Sequence, residues 1–402
     1  MKVLLVNKFF YLKGGAERYM FTLAEALKAS GHEVIYFSMQ DDKNLSCNQS
    51  KYFVSPVAMS GSFKAKYNMV FHIAYSKEAY SKMLQLLKDE NPNLIVLNNI
   101  HKQLTCSVID AVKDYDKKIP IYWICHDLMT ICPSYTMLDG HGNICEKCIH
   151  GDFKNCLKNK CIHNSSLMSY LSYYEAKQIK KHKWYDKIDL FICPSKFYKN
   201  MLTKSEYIKS KIIWMRNPLS LDTKYEVNNH DEGYILYFGR LSKEKGVKTL
   251  IDAMEGINYK LIVLGTGPME DELHNYVRSQ GISNVEFKGF QSGENLRNYI
   301  RYARCIVLPS EWYENGPYSA MEAMALGKPL IVSSLGGLPE LVEQGKNGYI
   351  YSTKQELKNC INEIIRLDDS LYTSMCSDSV EKAKTYFDPI RYVNDLLRKV
   401  SH

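Results

Sequence analysis

No apolar run in the 402 residues approaches the roughly 18 that a membrane-spanning helix needs, which excludes an integral helical membrane protein. The opening Met1-Lys2-Val3-Leu4-Leu5-Val6 has the pattern of a strand rather than of a secretory signal, so a cytoplasmic protein is expected. Acidic residues are scarce in the first half. Residues 1–220 hold 19 Asp and Glu against 31 Lys and Arg, a net +12, whereas the remainder holds 25 against 21, a net −4. No recognisable nucleic-acid-binding fold accompanies that basic half, so nucleic acid is not expected as a partner. A solvated basic face is the plainer account of the charge. The sharper one is a face for phosphate-bearing lipid or an anionic membrane, built from Lys64 and Lys66, then Lys177, Lys180, Lys181, Lys183 and Lys187 among Tyr170, Tyr173, Tyr174, Trp184 and Tyr185.

What is present is the composition of a globular protein, 45% hydrophobic and 24% charged, in a chain long enough for two domains of about 200 residues each. Residues 2–6 read as an apolar strand, 7–17 as a loop containing Gly14-Gly15, about 16–30 as a helix, and 31–37 as the start of a second strand. Such a βαβ unit makes the sheet parallel. Further strands are expected at 94–97, ending in Asn98, Asn99 and His101, at 119–125, ending in His126-Asp127, and at 188–193. Strand carboxyl ends are where ligands bind in open α/β sheets, so His101 and His126 are candidates there, and Asp127 in a polar turn favours His126. The polar run Asp222 to Glu232 reads as the linker between domains.

The second half begins with strand Tyr234 to Phe238, followed by Gly239, Arg240 and, five residues after Arg240, Lys245, which is expected to open a helix. Two permanent cations at a strand end suit a diphosphate, Arg as a planar fork and Lys as a mobile point charge. After strand 260–264 comes Gly265-Thr266-Gly267, and after strand 285–290 comes Glu314-Asn315-Gly316-Pro317-Tyr318-Ser319-Ala320-Met321-Glu322. That stretch follows a short buried strand at 305–310 and opens a helix over 319–326. Its two carboxylates bracket a strand-to-helix turn where free N–H groups and the positive end of the helix dipole meet an anion. This is the layout of a nucleotide-sugar site.

Between residues 132 and 161 lies a dense group of thiols, Cys132, Cys145, Cys148, Cys156 and Cys161. The C-x2-C and C-x4-C pairs have the spacing of a structural zinc site with Cys145, Cys148, Cys156 and Cys161 as ligands and Cys132 as the alternative ligand. Disulfides and free thiols are the competing accounts, the first disfavoured in a reducing compartment.

Taken together, these motifs resemble the family 4 retaining glycosyltransferases, also called glycosyl transferases group 1. In the C-terminal half the likeness rests on Phe238-Gly239-Arg240 with Lys245, Gly265-Thr266-Gly267, Gly289-Phe290, the Glu314 to Glu322 pair with Ala323-Met324-Ala325, Gly327-Lys328-Pro329, and Gly336-Gly337-Leu338-Pro339-Glu340. In the N-terminal half it rests on Gly14-Gly15-Ala16-Glu17, His126-Asp127 and the Cys132-Pro133 start of the cysteine-rich loop. The resemblance implies the GT-B fold, α/β, with two Rossmann-like domains facing across a cleft: an acceptor domain at 1–220 and a nucleotide-sugar domain at 221–385. A last segment, 386–402, would hold a helix that crosses back to the first domain.

It further implies catalysis without a metal. Arg240 and Lys245 would hold the diphosphate of a UDP- or GDP-sugar, Glu322 the ribose, and Glu314 the sugar. Asn315, Gly316, Pro317, Tyr318 and Ser319 would support sugar and phosphate, together with Gly265, Gly289 and Phe290. His126 would contact the transferred sugar, and Gly14 and Gly15 would approach the phosphate. The acceptor would be a glycan, glycolipid or glycoprotein. Gly316 stands where the family often has Phe, so the sugar pocket is expected to differ in shape. A nucleotide-sugar epimerase of the same fold and an inactive nucleotide-sugar-binding subunit are the alternatives, and the complete set of charged residues disfavours both.

Overall fold

The computed structural model describes residues 1–57 and 72–400, so Lys64 and Lys66 of the basic face lie outside the described residues. The chain divides into two compact units, Met1–Leu221 with Pro389–His402, and Asp222–Asp388.

Unit 1 is built on a parallel sheet of β1 (Lys2–Val6), β2 (Glu33–Phe37), β3 (Leu94–Leu97), β4 (Ile121–Ile124), β5 (Leu190–Cys193) and β6 (Lys211–Trp214), in the order β2-β1-β3-β4-β5-β6. Every residue of β3, β4 and β5 is buried, as expected of parallel strands covered on both faces by helices. The helices are α1 (Gly15–Ala29), α2 (Lys77–Glu90), α3 (Ser107–Tyr115), the short α4 (Lys154–Lys158), α5 (Ser166–His182) and α6 (Lys196–Thr203). Side-chain caps start three of them: Ser76, Ser165 and Ser195 each accept a hydrogen bond from an N–H in the first turn. The final helix, Pro389–Leu397, packs on α1, where the hydroxyls of Tyr19 and Tyr392 meet at 2.7 Å. On the basic face, Lys177, Lys180, Lys181, Lys183 and Lys187 are exposed, but Trp184 and Tyr185 are buried. Their rings belong to the core. The Trp184 indole donates to Asp110, and Tyr185 packs against Trp123 and Phe191.

Unit 2 repeats the architecture with β7 (Tyr234–Phe238), β8 (Lys260–Leu264), β9 (Val285–Phe287), β10 (Ile306–Leu308), β11 (Leu330–Ser333) and β12 (Gly348–Tyr351), parallel and ordered β12-β11-β10-β7-β8-β9. Its helices are α7 (Val247–Ala253), α8 (Glu270–Ser279), α9 (Gly293–Arg301), α10 (Tyr318–Ala325), α11 (Lys354–Arg366) and α12 (Asp369–Tyr386). The buried Lys328 donates to the carbonyls of Asn228 and His230, at 2.9 and 3.2 Å, and so pins the segment that enters the unit. Burial pushes its ammonium down to about 8. Lys245 does not open a helix, contrary to the sequence reading. It closes a single 3₁₀ turn, Lys243–Lys245, and α7 begins only after Gly246 has turned the chain at φ 64°.

Candidate active site

Strand order tells where each unit places a ligand. In unit 2 the chain fills β7, β8 and β9 outward and then returns to lay β10 on the other side of β7, so the order reverses between β7 and β10. A crevice opens at the carboxyl ends of strands where order reverses. The loops there are Gly239 to Gly246, after β7, and Pro309 to Pro317, after β10.

Those two loops are laced backbone to backbone. The N–H of Glu311 donates to the carbonyl of Glu244 at 2.8 Å, and a Cβ on Gly246 would come within 1.9 Å of the Pro309 carbonyl oxygen. Only glycine fits there, both for space and for the left-handed φ. This contact delivers Lys245 onto Glu314, with Nζ 2.5 Å from Oε1, while the Ser310 hydroxyl donates to the same oxygen at 2.8 Å and the Trp312 ring lies 5.1 Å from Nζ. Glu314 is 6% exposed. Burial alone would raise its pKa, but the Lys245 charge and the hydrogen bonds hold it below the ordinary value, so it is a buried carboxylate. Its backbone is fixed as well: Gly337 N–H donates to the Glu314 carbonyl at 2.6 Å, and a Cβ on Gly336 would lie 2.3 Å from that oxygen. Arg240, on the same loop as Lys245, is exposed, with no ion-pair partner among the described residues. Next along the chain α10 starts, with Pro317 as its N-cap. Its ladder begins with the N–H groups of Ala320 and Met321 on the Pro317 carbonyl, so those of Tyr318 and Ser319 lie outside it at the positive end of the helix. Glu322 follows on α10 and is half-buried.

In unit 1 the order reverses between β1 and β3. Asn7, fully buried at the end of β1, donates to Glu17 at 2.9 Å and accepts from the Asn99 N–H at 3.1 Å, tying the two loops together. Asn98 donates to the Val6 carbonyl, which turns its Oδ1 toward Nε2 of His126 at 2.8 Å. His126 therefore carries its proton on Nε2. Burial lowers its pKa to about 3, so the ring is neutral near pH 7, and it packs edge-on against Tyr19 at 4.9 Å. Taken each by itself, the unit 2 loops offer lasting positive charge suited to a diphosphate, and the unit 1 loops offer a neutral imidazole suited to polar ligands.

The model described as Glycosyltransferase Family 4 matches residues 13–223, just over half of the chain, and that described as Glycosyl transferases group 1 matches residues 222–385. The chain belongs to glycosyltransferase family 4. Among its relatives, the uncharacterized glycosyltransferase MJ1178 of Methanocaldococcus jannaschii is 32% identical over 183 residues, 45% of this chain and 51% of the relative. The amylovoran biosynthesis glycosyltransferase AmsK of Erwinia amylovora is 30% identical over 132 residues, 30% of this chain and 32% of the relative. The chain thus spans about half or less of the length of these curated relatives. The crystal structure of Anabaena HepE in complex with UDP-glucose matches 100% of this chain and 99% of its own at TM-score 0.64 and 17% identity, a likeness of fold. Two six-stranded parallel Rossmann-like sheets make this family 4 member an α/β protein of the GT-B class.

Within this family 4 fold, Arg240, Lys245, Glu314, Asn315, Gly316, Pro317, Tyr318, Ser319 and Glu322 all fall on or just after the loops at the β7/β10 reversal. Gly14 and Gly15 are exposed at the start of α1, where a Cβ on Gly14 would meet only the Glu17 carboxylate at 3.6 Å. Gly265 has an internal reason to be glycine, since its Cβ would strike the Gly239 carbonyl at 1.9 Å, whereas one on Gly289 would touch nothing. Phe290 is 72% exposed. His101 is buried with its Nε2 3.2 Å from the Tyr185 hydroxyl.

The thiols of the cysteine-rich loop are all unbridged. Cys148 and Cys156 are buried in a small cluster with Phe153 and Ile162, against which Cys161 packs. Among the described residues no three His, Cys, Asp or Glu side chains converge on a metal position. Ser310 and Trp312, which hold the Lys245–Glu314 pair, escaped the sequence reading. The four-residue spacing of Ser310 and Glu314 behind a strand was the available signal.

Proposed function

We propose that the chain is a retaining, metal-independent hexosyltransferase that moves a sugar from a UDP- or GDP-sugar to a glycan, glycolipid or glycoprotein acceptor in polysaccharide or glycoconjugate assembly. The observation that carries this reading is the Lys245–Glu314 pair at the β7/β10 reversal, with an exposed Arg240 on the same loop as Lys245. In the reaction the bond from the anomeric carbon to phosphate breaks, its electron pair leaves with the nucleoside diphosphate, and the same carbon bonds the acceptor oxygen as its proton is released. Arg240 and Lys245 stabilise the charge that develops on the leaving diphosphate, which is the task a metal would otherwise perform. Glu314 and the α10 amides hold sugar hydroxyls and phosphate, Glu322 the ribose, and neutral His126 hydrogen-bonds the transferred sugar. The name of AmsK supports the polysaccharide setting, and the UDP-glucose complex of HepE supports a uridine nucleotide. No helix of the described residues is long and apolar enough to cross a membrane, and the exposed lysines of α5 support a place at an anionic membrane face.

The test is a panel of UDP- and GDP-sugars assayed by thermal shift and turnover. One donor raises the apparent Tm by mass action. Arg240→Ala and Lys245→Ala lower its turnover by about 100-fold or more. The product keeps the donor's anomeric configuration. An inverted product, or undiminished turnover in both variants, overturns the assignment.

We also propose that the cysteine-rich loop holds a structural zinc. Five residues between 135 and 164, Tyr135, Met137, Lys160, His163 and Asn164, take left-handed φ without being glycine, and the buried cluster beneath them, Cys148, Phe153, Cys156 and Ile162, is small. A tetrathiolate metal would supply what that small core does not. One equivalent of zinc in purified protein, with Cys148→Ser lowering both zinc content and Tm, is the expected result; metal-free protein of unchanged Tm contradicts it.

A further inference from the structure

Besides His126, the β1/β3 reversal of unit 1 carries charge that the reaction above leaves unused. Lys8 follows β1 and Lys102 follows β3. The loops that carry them are joined, with the Lys8 N–H donating to the Asn99 carbonyl at 2.9 Å and the Lys102 N–H to Glu175 Oε1 at 2.9 Å. Both lysines are half-buried, and among the described residues no carboxylate lies within ion-pair distance of either ammonium. A partly desolvated ammonium without a counter-ion is costly.

The nearby acids relieve only part of that cost, since none of them forms an ion pair with either lysine among the described residues. Glu17 is engaged by Asn7, and Asp127 accepts from the Met129 N–H at 2.9 Å. Glu175 is 3% exposed, its Oε2 finds no hydrogen-bond partner among the described residues, and burial pushes its pKa up to about 7, so it is only partly ionised at neutral pH. Burial, with Lys102 and Lys13 adding repulsion, lowers the pKa of Lys8 against the pull of Asp127 and Glu17. His101 next to them is neutral, held down to about 3 by burial and by the same two lysines. The loops at this reversal therefore carry two underpaired cations, backed by a buried neutral imidazole and a buried, partly ionised carboxyl, at the carboxyl ends of the strands.

We infer that Lys8 and Lys102 bind an oxyanion of the acceptor, either the diphosphate that joins a glycan to a lipid or the carboxylate of a uronic acid residue. The inference rests on the reading of unit 1 as the acceptor unit. A neutral acceptor would leave both ammonium groups as underpaired in the complex as they are in the free protein, whereas an oxyanion supplies the missing charge-assisted hydrogen bonds.

The experiment titrates the full chain, saturated with UDP so that the donor diphosphate subsite is filled, with inorganic pyrophosphate, D-glucuronate or methyl glucoside, by calorimetry. Wild type binds an anion and not the neutral glucoside. Lys8→Gln and Lys102→Gln each weaken that binding roughly tenfold. Lys209→Gln, an exposed lysine elsewhere in unit 1, leaves it unchanged, and Lys102→Arg retains measurable binding. Preference for pyrophosphate identifies the lipid diphosphate as the source, and preference for glucuronate identifies the uronate. Equal binding in wild type and both Gln variants, or no anion bound at all, overturns the inference. If UDP itself does not bind, the donor reading fails separately. The same titrations in the Arg240→Ala/Lys245→Ala background then decide the anion site without it.

Discussion

At the scale of single residues, the Lys245–Glu314 contact joins stability to chemistry. A buried carboxylate is tolerable only while paired, so removing the lysine leaves an uncompensated charge, a loss of about 3 kcal/mol or more. Lys245→Met is thus expected to lower the Tm as well as turnover, and Lys245→Met/Glu314→Gln to recover much of the Tm but none of the turnover. Melting curves of the two variants, set beside their rates, separate the two effects. An unchanged Tm in Lys245→Met would mean that Glu314 is protonated in the folded protein. His126 shows the complementary logic: Asn98 fixes its proton on Nε2 and burial keeps it neutral, so it acts through hydrogen bonds rather than charge.

At the scale of elements, the decisive contacts are between loops. Gly246 against Pro309 and Gly336 against Glu314 set the spacing of the loops after β7, β10 and β11. Gly246→Ala forces apart the segment that aims Lys245, so it should reduce turnover by at least about tenfold and lower the Tm. Gly345→Ala also has left-handed φ, 76°, but open space around it, and should cost only the roughly 1 kcal/mol of backbone strain with turnover intact. Parallel rate and thermal measurements on these two variants check that contrast.

The sequence exposes the apolar strands β1, β3, β4, β7, β8 and β10 clearly because they are buried on both faces and bounded by turn residues. It hides β12, where Gly348-Tyr349-Ile350-Tyr351 is a four-residue edge strand without a distinctive apolar run. It also hides that Lys245 ends a 3₁₀ turn, since the kink at Gly246 answers to Pro309, some sixty residues away. Of the candidate site, the charged residues are legible in the motifs, whereas their holders, Ser310, Trp312 and Asn98, are defined only by contacts across the fold. The buried place of Trp184 and Tyr185 is hidden for the same reason, because aromatic residues among lysines look alike in a core and on a surface.

At the scale of the whole molecule, the two units should respond differently to acid. His101 and His126 both belong to unit 1, and both titrate near 3 when folded against 6.5 when unfolded. Between those values the unfolded chain holds the more protons, so this contribution to stability is full above about 6.5 and is lost as pH falls toward 3. Unit 1 is therefore expected to unfold first on acidification. Trp123, 5.2 Å from the His101 ring, offers an emission signal for that step, and His101→Gln should move it to lower pH.

The pairing of Tyr19 with Tyr392 has a consequence for biosynthesis. Unit 2 is spliced into unit 1, because the chain leaves the first unit at residue 221 and rejoins it at 389. A ribosome therefore finishes all of unit 2 while α1 still waits for the helix that covers Tyr19, the neighbour of His126. During that interval a nascent chain holds all of unit 2 while Tyr19 of unit 1 is still uncovered, and the cover arrives only with residues 389–397.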